Sequence, residues 1–154
     1  MSGDLAIRPN AVGQLDLAFA GPQLLTDEGL TTAIIISWFS DRLADEASPW
    51  LAQGMDRRGW WCDAYAPIPG DKIGSGLWQL MRQKQIEPVR VEAEEMAREA
   101  VQWMIEDKIA TQIEVTATFP ARHWLALSGV FHRPNRPALS HHFELSWEGT
   151  VHAV

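Results

Sequence analysis

The sequence predicts an α+β fold, in which two long helices and one short helix cover a small, mainly antiparallel sheet of two short N-terminal strands and three C-terminal strands. Two periodicities predict it. Apolar residues recur every three to four positions through residues 88–107, and they alternate with polar or small residues through the last third. The length of 154 residues further indicates one domain over residues 1–154.

The chain begins with two short predicted strands. Leu5–Ile7 is apolar and stops at Pro9. Leu15–Phe19 alternates in polarity and stops at Gly21 and the proline after it. Proline removes a backbone donor and glycine favours a turn, so both pieces are expected to be short.

A first helix is predicted over residues 27–44. Thr26 is a suitable N-cap, and the carboxylate of Asp27 suits the positive end of the helix dipole. Ile34, Trp38 and their apolar neighbours give the helix a broad apolar face. Such a face predicts burial on more than one side.

Two further helices are predicted in the middle of the chain. A short one covers residues 75–84, and the longest covers 88–107. Pro88 fits the first turn of a helix, where its missing N–H costs nothing. Glu94 and Arg98 stand four positions apart on the polar face, a spacing that allows an ion pair.

Three antiparallel strands are predicted after the helices, from alternating runs at residues 109–119, 125–131 and 139–147. Proline-containing turns connect them. The last run contains neither proline nor lysine, the residues that commonly guard an exposed edge. We therefore expect it to be open to strand addition by another chain.

Residues 45–73 are predicted to be a long irregular loop. They are rich in proline and glycine and contain three of the eight tryptophans. A loop of this length without periodicity is unusual in a compact domain, and usually has a function or docks a partner.

Composition argues against several classes of function. The formal net charge of −7 is unsuited to nucleic acid or to an anionic membrane surface. Gly74-Ser75-Gly76 begins like a dinucleotide fingerprint, but Gln79 replaces its third glycine. His141 and His142 are neighbours on a predicted strand and point to opposite faces, so they cannot chelate one metal ion. We expect no cofactor, no metal site and no catalytic residues.

Three ordered segments carry a family resemblance: Asp56-Arg57-Arg58-Gly59-Trp60-Trp61-Cys62-Asp63-Ala64-Tyr65, then Gly70–Trp78, then Ala97–Asp107. Together they resemble the baseplate protein family of Mu-like contractile-tailed phages, which is related to the T-even-type baseplate wedge subunit, or sheath initiator. The resemblance covers nearly the whole chain, and the Arg-Arg-Gly-Trp-Trp block is its most specific part.

The resemblance implies a structural subunit, not an enzyme. It implies a place in the virion tail baseplate, after assembly in the host cytoplasm. The implied partners are other wedge proteins, which pack helices against this chain, and the tail sheath subunit, which adds strands to its sheet. Central hub and tube proteins are further candidates.

The expected interface combines the resemblance with the abundance of tryptophan. Within the loop, the expected contacts are Asp56, Arg57, Arg58, Trp60 and Trp61. The other expected partner-facing residues are Trp38, Trp103, Phe143 and Trp147. Since tryptophan is also common in protein cores, Trp60 and Trp61 could equally close the core of this chain. Two rival functions remain open, a lysozyme-like peptidoglycan hydrolase and a small adaptor protein with the same fold.

Overall fold

The computed structural model describes residues 4–27, 30–146 and the backbone of residues 151–153. The helices in these ranges are α1 (Thr31–Phe39), α2 (Glu87–Ala100) and α3 (Trp103–Glu106), with 3₁₀ helices at Trp61–Tyr65 and Leu77–Leu80. The strands are β1 (Asp4–Leu5), β2 (Ile7–Pro9), β3 (Leu15–Leu17), β4 (Phe19–Ala20), β5 (Gln23–Leu24), β6 (Thr26–Asp27), β7 (Gln112–Thr118), β8 (Trp124–His132), β9 (Leu139–Ser146) and β10 (Val151–Ala153). No helix of the described part is long and apolar enough to cross a membrane.

The largest sheet contains four antiparallel strands in the order β10-β9-β8-β7. Burial alternates along β7, where Val115 and Ala117 are buried and Thr116 and Thr118 are exposed. This is the consequence of side chains that point to opposite faces of a strand in turn. The buried side chains of the sheet join those of α1 and α2 in one apolar cluster.

Trp38 of α1 lies at the centre of that cluster and is fully buried. Its indole Nε1 donates a hydrogen bond of 2.9 Å to the carbonyl of Ala97 in α2. Its ring packs against Phe131 and Phe143 of the sheet at centroid distances of 6.1 and 5.8 Å. Gly129 allows this approach, because a Cβ there would lie 2.9 Å from the indole. A single side chain therefore joins both helices to the sheet.

The N-terminal region forms three two-stranded antiparallel sheets rather than two strands. The three sheets are separated from one another where Ala6, Ala18 and Leu25 form backbone hydrogen bonds among themselves. Ala6 donates to Leu25, Leu25 donates to Ala18, and Ala18 donates back to Ala6, at 2.8 to 2.9 Å. Ala6 is buried. Because these groups bond to one another, the strand ladders stop there and resume beyond.

The predicted first helix over 27–44 is too long. Leu30 precedes α1 with a left-handed φ of 69°, and Ser40 ends it in an extended conformation. The helix ends because a distant segment meets it: the Ser75 hydroxyl donates to the carbonyl of Trp38 at 2.6 Å, and the Ser75 N–H donates to Ser40 at 2.9 Å. Residues 28 and 29 lie outside the described residues.

The other predicted helices also differ from those observed. The short helix over 75–84 is only a 3₁₀ helix at Leu77–Leu80. The long helix over 88–107 is divided into α2 and α3. At the break, the N–H groups of Val101 and Gln102 donate to the carbonyls three residues earlier, those of Arg98 and Glu99, at 3.3 and 3.1 Å. Together with the additional short strands, this makes the predicted arrangement of two long helices, one short helix and five strands wrong.

The edges of the large sheet also differ from the prediction. The run at 139–147, expected to be open, is β9, which pairs with β8 on one side and β10 on the other. In the described part, the edge strands of this sheet are β7 and β10. Arg90 and Glu94 of α2 already bond to the carbonyl and N–H of Ala117 in β7, at 3.0 and 3.2 Å.

Candidate functional site

We call residues 45–73 the tryptophan loop. In this fully described segment, the only helix or strand is the 3₁₀ helix Trp61–Tyr65. The loop is nevertheless bonded to the fold through Arg57, near its middle, and to itself through Ile73 and Asp63. Arg57 and Ala44 exchange two hydrogen bonds, with Arg57 Nε donating to the Ala44 carbonyl at 2.8 Å and the Ala44 N–H donating to the Arg57 carbonyl at 3.0 Å. The Ile73 N–H donates to Asp63 Oδ1 at 3.3 Å.

The two arginines of the Arg-Arg-Gly-Trp-Trp block bond within the chain. Arg57 Nη1 lies 2.7 Å from a carboxylate oxygen of Glu46. Arg58 Nη1 lies 2.7 Å from Asp41, and its guanidinium carbon lies 4.6 Å from the ring centroid of Trp78. Stacking on an indole and pairing with a carboxylate suit the planar guanidinium better than an ammonium. The arginines therefore hold the base of the loop.

Gly59 requires glycine for two reasons. Its φ is +96°, a conformation that side-chain-bearing residues rarely adopt. In addition, a Cβ at this position would lie 2.7 Å from the Cβ of Leu43. The close approach lets the chain turn against residues 41–44 before the two tryptophans.

The turn presents an exposed aromatic cluster, which we define as Trp60, Trp61 and Tyr65. Their exposed fractions are 46%, 73% and 78%. Trp60 and Trp61 lie 6.2 Å apart by ring centroids, and Trp61 and Tyr65 lie 6.3 Å apart. Ile68 and Ile73 extend the apolar surface nearby in sequence, with exposed fractions of 65% and 38%. A concentration of exposed large apolar side chains is typical of a site of interaction.

Asp56 stabilises this turn with a hydrogen bond. Its Oδ1 accepts a hydrogen bond from the Arg58 N–H at 3.1 Å, which helps to hold the left-handed φ of 53° at Arg58. The structure thus brings Asp56, Arg57, Arg58, Trp60 and Trp61 into one turn, with the charged residues at its base.

The other expected interface residues lie elsewhere. Trp38 is fully buried and Phe143 is 2% exposed, so both belong to the core and neither offers a surface to a partner. Trp103 is half-buried, and its indole N–H donates to Ser37 at 3.1 Å. Trp147 lies outside the described residues.

Sequence reasoning missed three residues of this surface. Tyr65, Ile68 and Ile73 are exposed, but they were not among the expected contacts. The signal for Tyr65 was its place in the same aromatic block of the sequence, four residues after Trp61. Nothing in the local sequence marks the two isoleucines.

Two carboxyl groups of α2 have displaced pKa values. The guanidinium of Arg90 lowers the pKa of Glu87. Burial raises the pKa of Glu94, but its hydrogen bonds from the Ala117 N–H, Arg90 and Arg98 outweigh that effect and the pKa is lowered. Both groups favour the charged form, which suits structural ion pairs.

Among the described residues, no group of three or more histidine, cysteine or acidic side chains is arranged to hold a metal ion. His142 lies 2.7 Å from the Ser128 hydroxyl through its Nδ1. His141 instead stacks on Phe143, with ring centroids 5.8 Å apart.

A family profile described as "Phage protein GP46" matches residues 30–138. The chain belongs to this family. The matched range includes α1, the tryptophan loop, α2, α3, β7 and β8. This profile and the two relatives described next confirm the resemblance to the Mu-like phage baseplate family.

Two relatives in this family align over most of their length. One is "Baseplate protein gp46" of Escherichia phage Mu, 34% identical over 137 residues, which are 89% of this chain and 92% of that protein. The other is "Mu-like prophage FluMu protein gp46" of Haemophilus influenzae, 33% identical over 135 residues, which are 88% of this chain and 91% of that protein.

Proposed function

We propose that this chain is a structural subunit of the baseplate of a contractile phage tail, and that its tryptophan loop docks a neighbouring baseplate protein. The observation that carries the proposal is the exposure of Trp60, Trp61 and Tyr65 on a firmly anchored turn. The name of the phage Mu relative, a baseplate protein, supports it. The chain would then be located in the tail baseplate of the virion, after assembly in the host cytoplasm.

The exposed aromatic cluster is large enough to anchor a contact. An aromatic side chain buries roughly 150–250 Å² when covered, so the exposed fractions leave about 400 Å² in these three side chains. Aromatic residues at the centre of an interface commonly dominate its energy. Because Arg57, Arg58 and Gly59 already hold the turn, little conformational entropy remains to be lost on docking.

The wider assembly role follows the same proposal. The chain joins wedge proteins through helix packing and receives strands from the tail sheath subunit at the large sheet. At the edge of β7, Arg90 and Glu94 already occupy the backbone groups of Ala117, so a strand added there would first have to displace them. Central hub and tube proteins are further possible neighbours.

Chemistry supports the structural role over a lysozyme-like hydrolase. Such an enzyme needs one carboxylic acid with a raised pKa, so that it can donate a proton. The two displaced carboxyl groups described above, Glu87 and Glu94, are displaced downward. Both are bound to arginine, which keeps them charged.

Co-expression with the other baseplate proteins tests the proposal. The double variant Trp60→Ala/Trp61→Ala should lose co-purification of its neighbour while its melting temperature stays within about 2 °C of the native value, because exposed side chains contribute little to folding. Phe19→Ala is the matched control, since Phe19 is 61% exposed but lies in β4. Retention of the neighbour by the double variant would refute docking through the loop, and a collapse in melting temperature would assign the tryptophans to the core.

A further inference from the structure

The second surface of interest is a cleft of about 960 Å³ between the tryptophan loop and the helices α2 and α3. One wall is a stripe of five helix residues, Glu92, Met96, Glu99, Trp103 and Glu106. They recur at spacings of four and three residues along α2 and, beyond the break at residues 101–102, along α3, and all five line the cleft. Acidic and apolar side chains alternate along this stripe, each type recurring every seven residues.

Apolar residues that alternate with acidic ones on one helix face suit a partner helix whose own face is amphipathic. The apolar positions are suited to such contact. Met96 is half-buried at the floor of the cleft, and its flexible thioether adapts to different partners. Trp103 is held by its bond to Ser37, so its ring orientation is fixed.

The charge of the cleft selects the partner. Seven carboxylates and three cations line it. Two of those cations are already paired, Arg42 with Glu99 and Arg57 with Glu46, both at 2.7 Å. The remaining excess is negative, which favours a partner that carries lysine or arginine beside its apolar residues.

The volume of the cleft is comparable with that of a partly sunken helix. From Glu92 to Glu106 the stripe rises about 21 Å, and a helix with side chains is about 10 Å across, so half of such a cylinder occupies about 800 Å³. The cleft holds about 960 Å³. The two volumes are therefore of the same order.

We propose that this cleft receives a basic amphipathic helix of a neighbouring baseplate protein. The proposal rests on the proposed function for the identity of the neighbour, but the cleft is separate from the aromatic cluster. In the partner helix, apolar residues spaced seven apart contact Met96 and Trp103. Lysine or arginine residues beside them face Glu92 and Glu106, whereas Glu99 is already paired with Arg42.

A peptide titration tests the cleft directly with the full chain. The probe is a fluorescent 21-residue helical peptide in which leucine and lysine each recur every seven residues, and its comparison replaces every lysine by glutamate. Fluorescence anisotropy should show binding of the lysine peptide only. The variant Glu92→Lys/Glu106→Lys should weaken that binding about tenfold, by removing two attractions and adding two repulsions.

The control variant Glu95→Lys/Glu114→Lys makes the same change in charge at exposed positions outside the cleft. Its affinity for the lysine peptide should stay within about twofold of the native value. If both double variants bind the lysine peptide equally weakly, the loss of affinity comes from net charge alone, and the proposal is overturned. Absence of binding would overturn it as well, whether or not the chain co-purifies with baseplate proteins.

Photo-crosslinking then identifies the natural occupant. Benzoylphenylalanine is placed at Met96, or at Glu95 as the control one residue away, and the chain is co-expressed with the other baseplate proteins. The Met96 position should crosslink to a partner segment with the basic and apolar seven-residue pattern, and Glu95 should not. A complex that assembles through Trp60 and Trp61 yet gives no such crosslink would overturn this inference and leave the proposed function standing.

Discussion

Two aromatic clusters in this protein contrast in their surroundings. In the core, Trp38 contacts Phe131 and Phe143 and satisfies its indole N–H with the carbonyl of Ala97. In the loop, the rings of Trp60 and Trp61 lie 6.2 Å apart and are 46% and 73% exposed. The same residue type thus serves folding in one region and presents a surface in the other. The difference is that neighbouring elements supply Trp38 with a hydrogen-bond acceptor and two packed aromatic rings.

The largest expected effect is on the core side of this comparison. Trp38→Ala should lower the free energy of unfolding by about 4 kcal/mol, because it leaves a large cavity and an unpaired Ala97 carbonyl. Trp61→Ala should change it by less than about 0.5 kcal/mol. Urea denaturation measures both. Similar losses in the two variants would erase the distinction between the clusters.

Gly59→Ala should have the next largest effect, about 2 kcal/mol, from the left-handed backbone and the contact with Leu43. Gly70→Ala is the matched control, because Gly70 has a φ of +86° but no atom within 4 Å of its added Cβ. Thermal melting should show the greater loss for Gly59→Ala. If the two variants melt alike, the close approach to Leu43 does not hold the loop.

Glu94→Gln tests the contact between Glu94 of α2 and the Ala117 N–H of β7 through the pH dependence of stability. Because the folded pKa of Glu94 is lowered, its contribution is present above the unfolded pKa and is lost as the pH falls through the folded pKa. The native chain should therefore lose more stability than Glu94→Gln as the pH falls below the ordinary pKa of a glutamate. Glu95→Gln, at an exposed position on the same helix, should retain the native slope in urea titrations at each pH.

Arg58→Lys should have the smallest effect, a loss of about 0.5 kcal/mol. Lysine keeps the charge opposite Asp41 but gives up the planar stacking on Trp78. Arg136→Lys in the exposed β8–β9 turn is the control. The melting temperatures of the two variants are compared at matched ionic strength. A melting temperature of Arg58→Lys equal to that of the native chain would show that the charge alone holds the loop at Arg58.

Some parts of the structure could be predicted because their signals are local. The alternating runs coincide with β7, β8 and β9, and the helical spacing coincides with α2. The Arg-Arg-Gly-Trp-Trp block led to the family. The three N-terminal sheets could not be predicted, because their interruptions depend on hydrogen bonds between Ala6, Ala18 and Leu25, which are distant in sequence.

The location of the candidate surface could be predicted, but the role of each of its residues could not. The sequence singled out the turn with its arginines and tryptophans. Only the structure showed that Arg57 and Arg58 hold the turn from within, and that Trp38 and Phe143 are core residues. The expected open strand is central because β10 pairs with it.

The sequence by itself determined which side chains share a face of α2, β7, β8 and β9, because periodicity depends only on the geometry of each element. Tertiary structure alone decided where α1 ends and which tryptophans are buried. The end of α1 depends on Ser75, and the burial of Trp38 depends on Ala97 and the sheet. Contacts between segments tens of residues apart supply the partners that a local pattern does not contain.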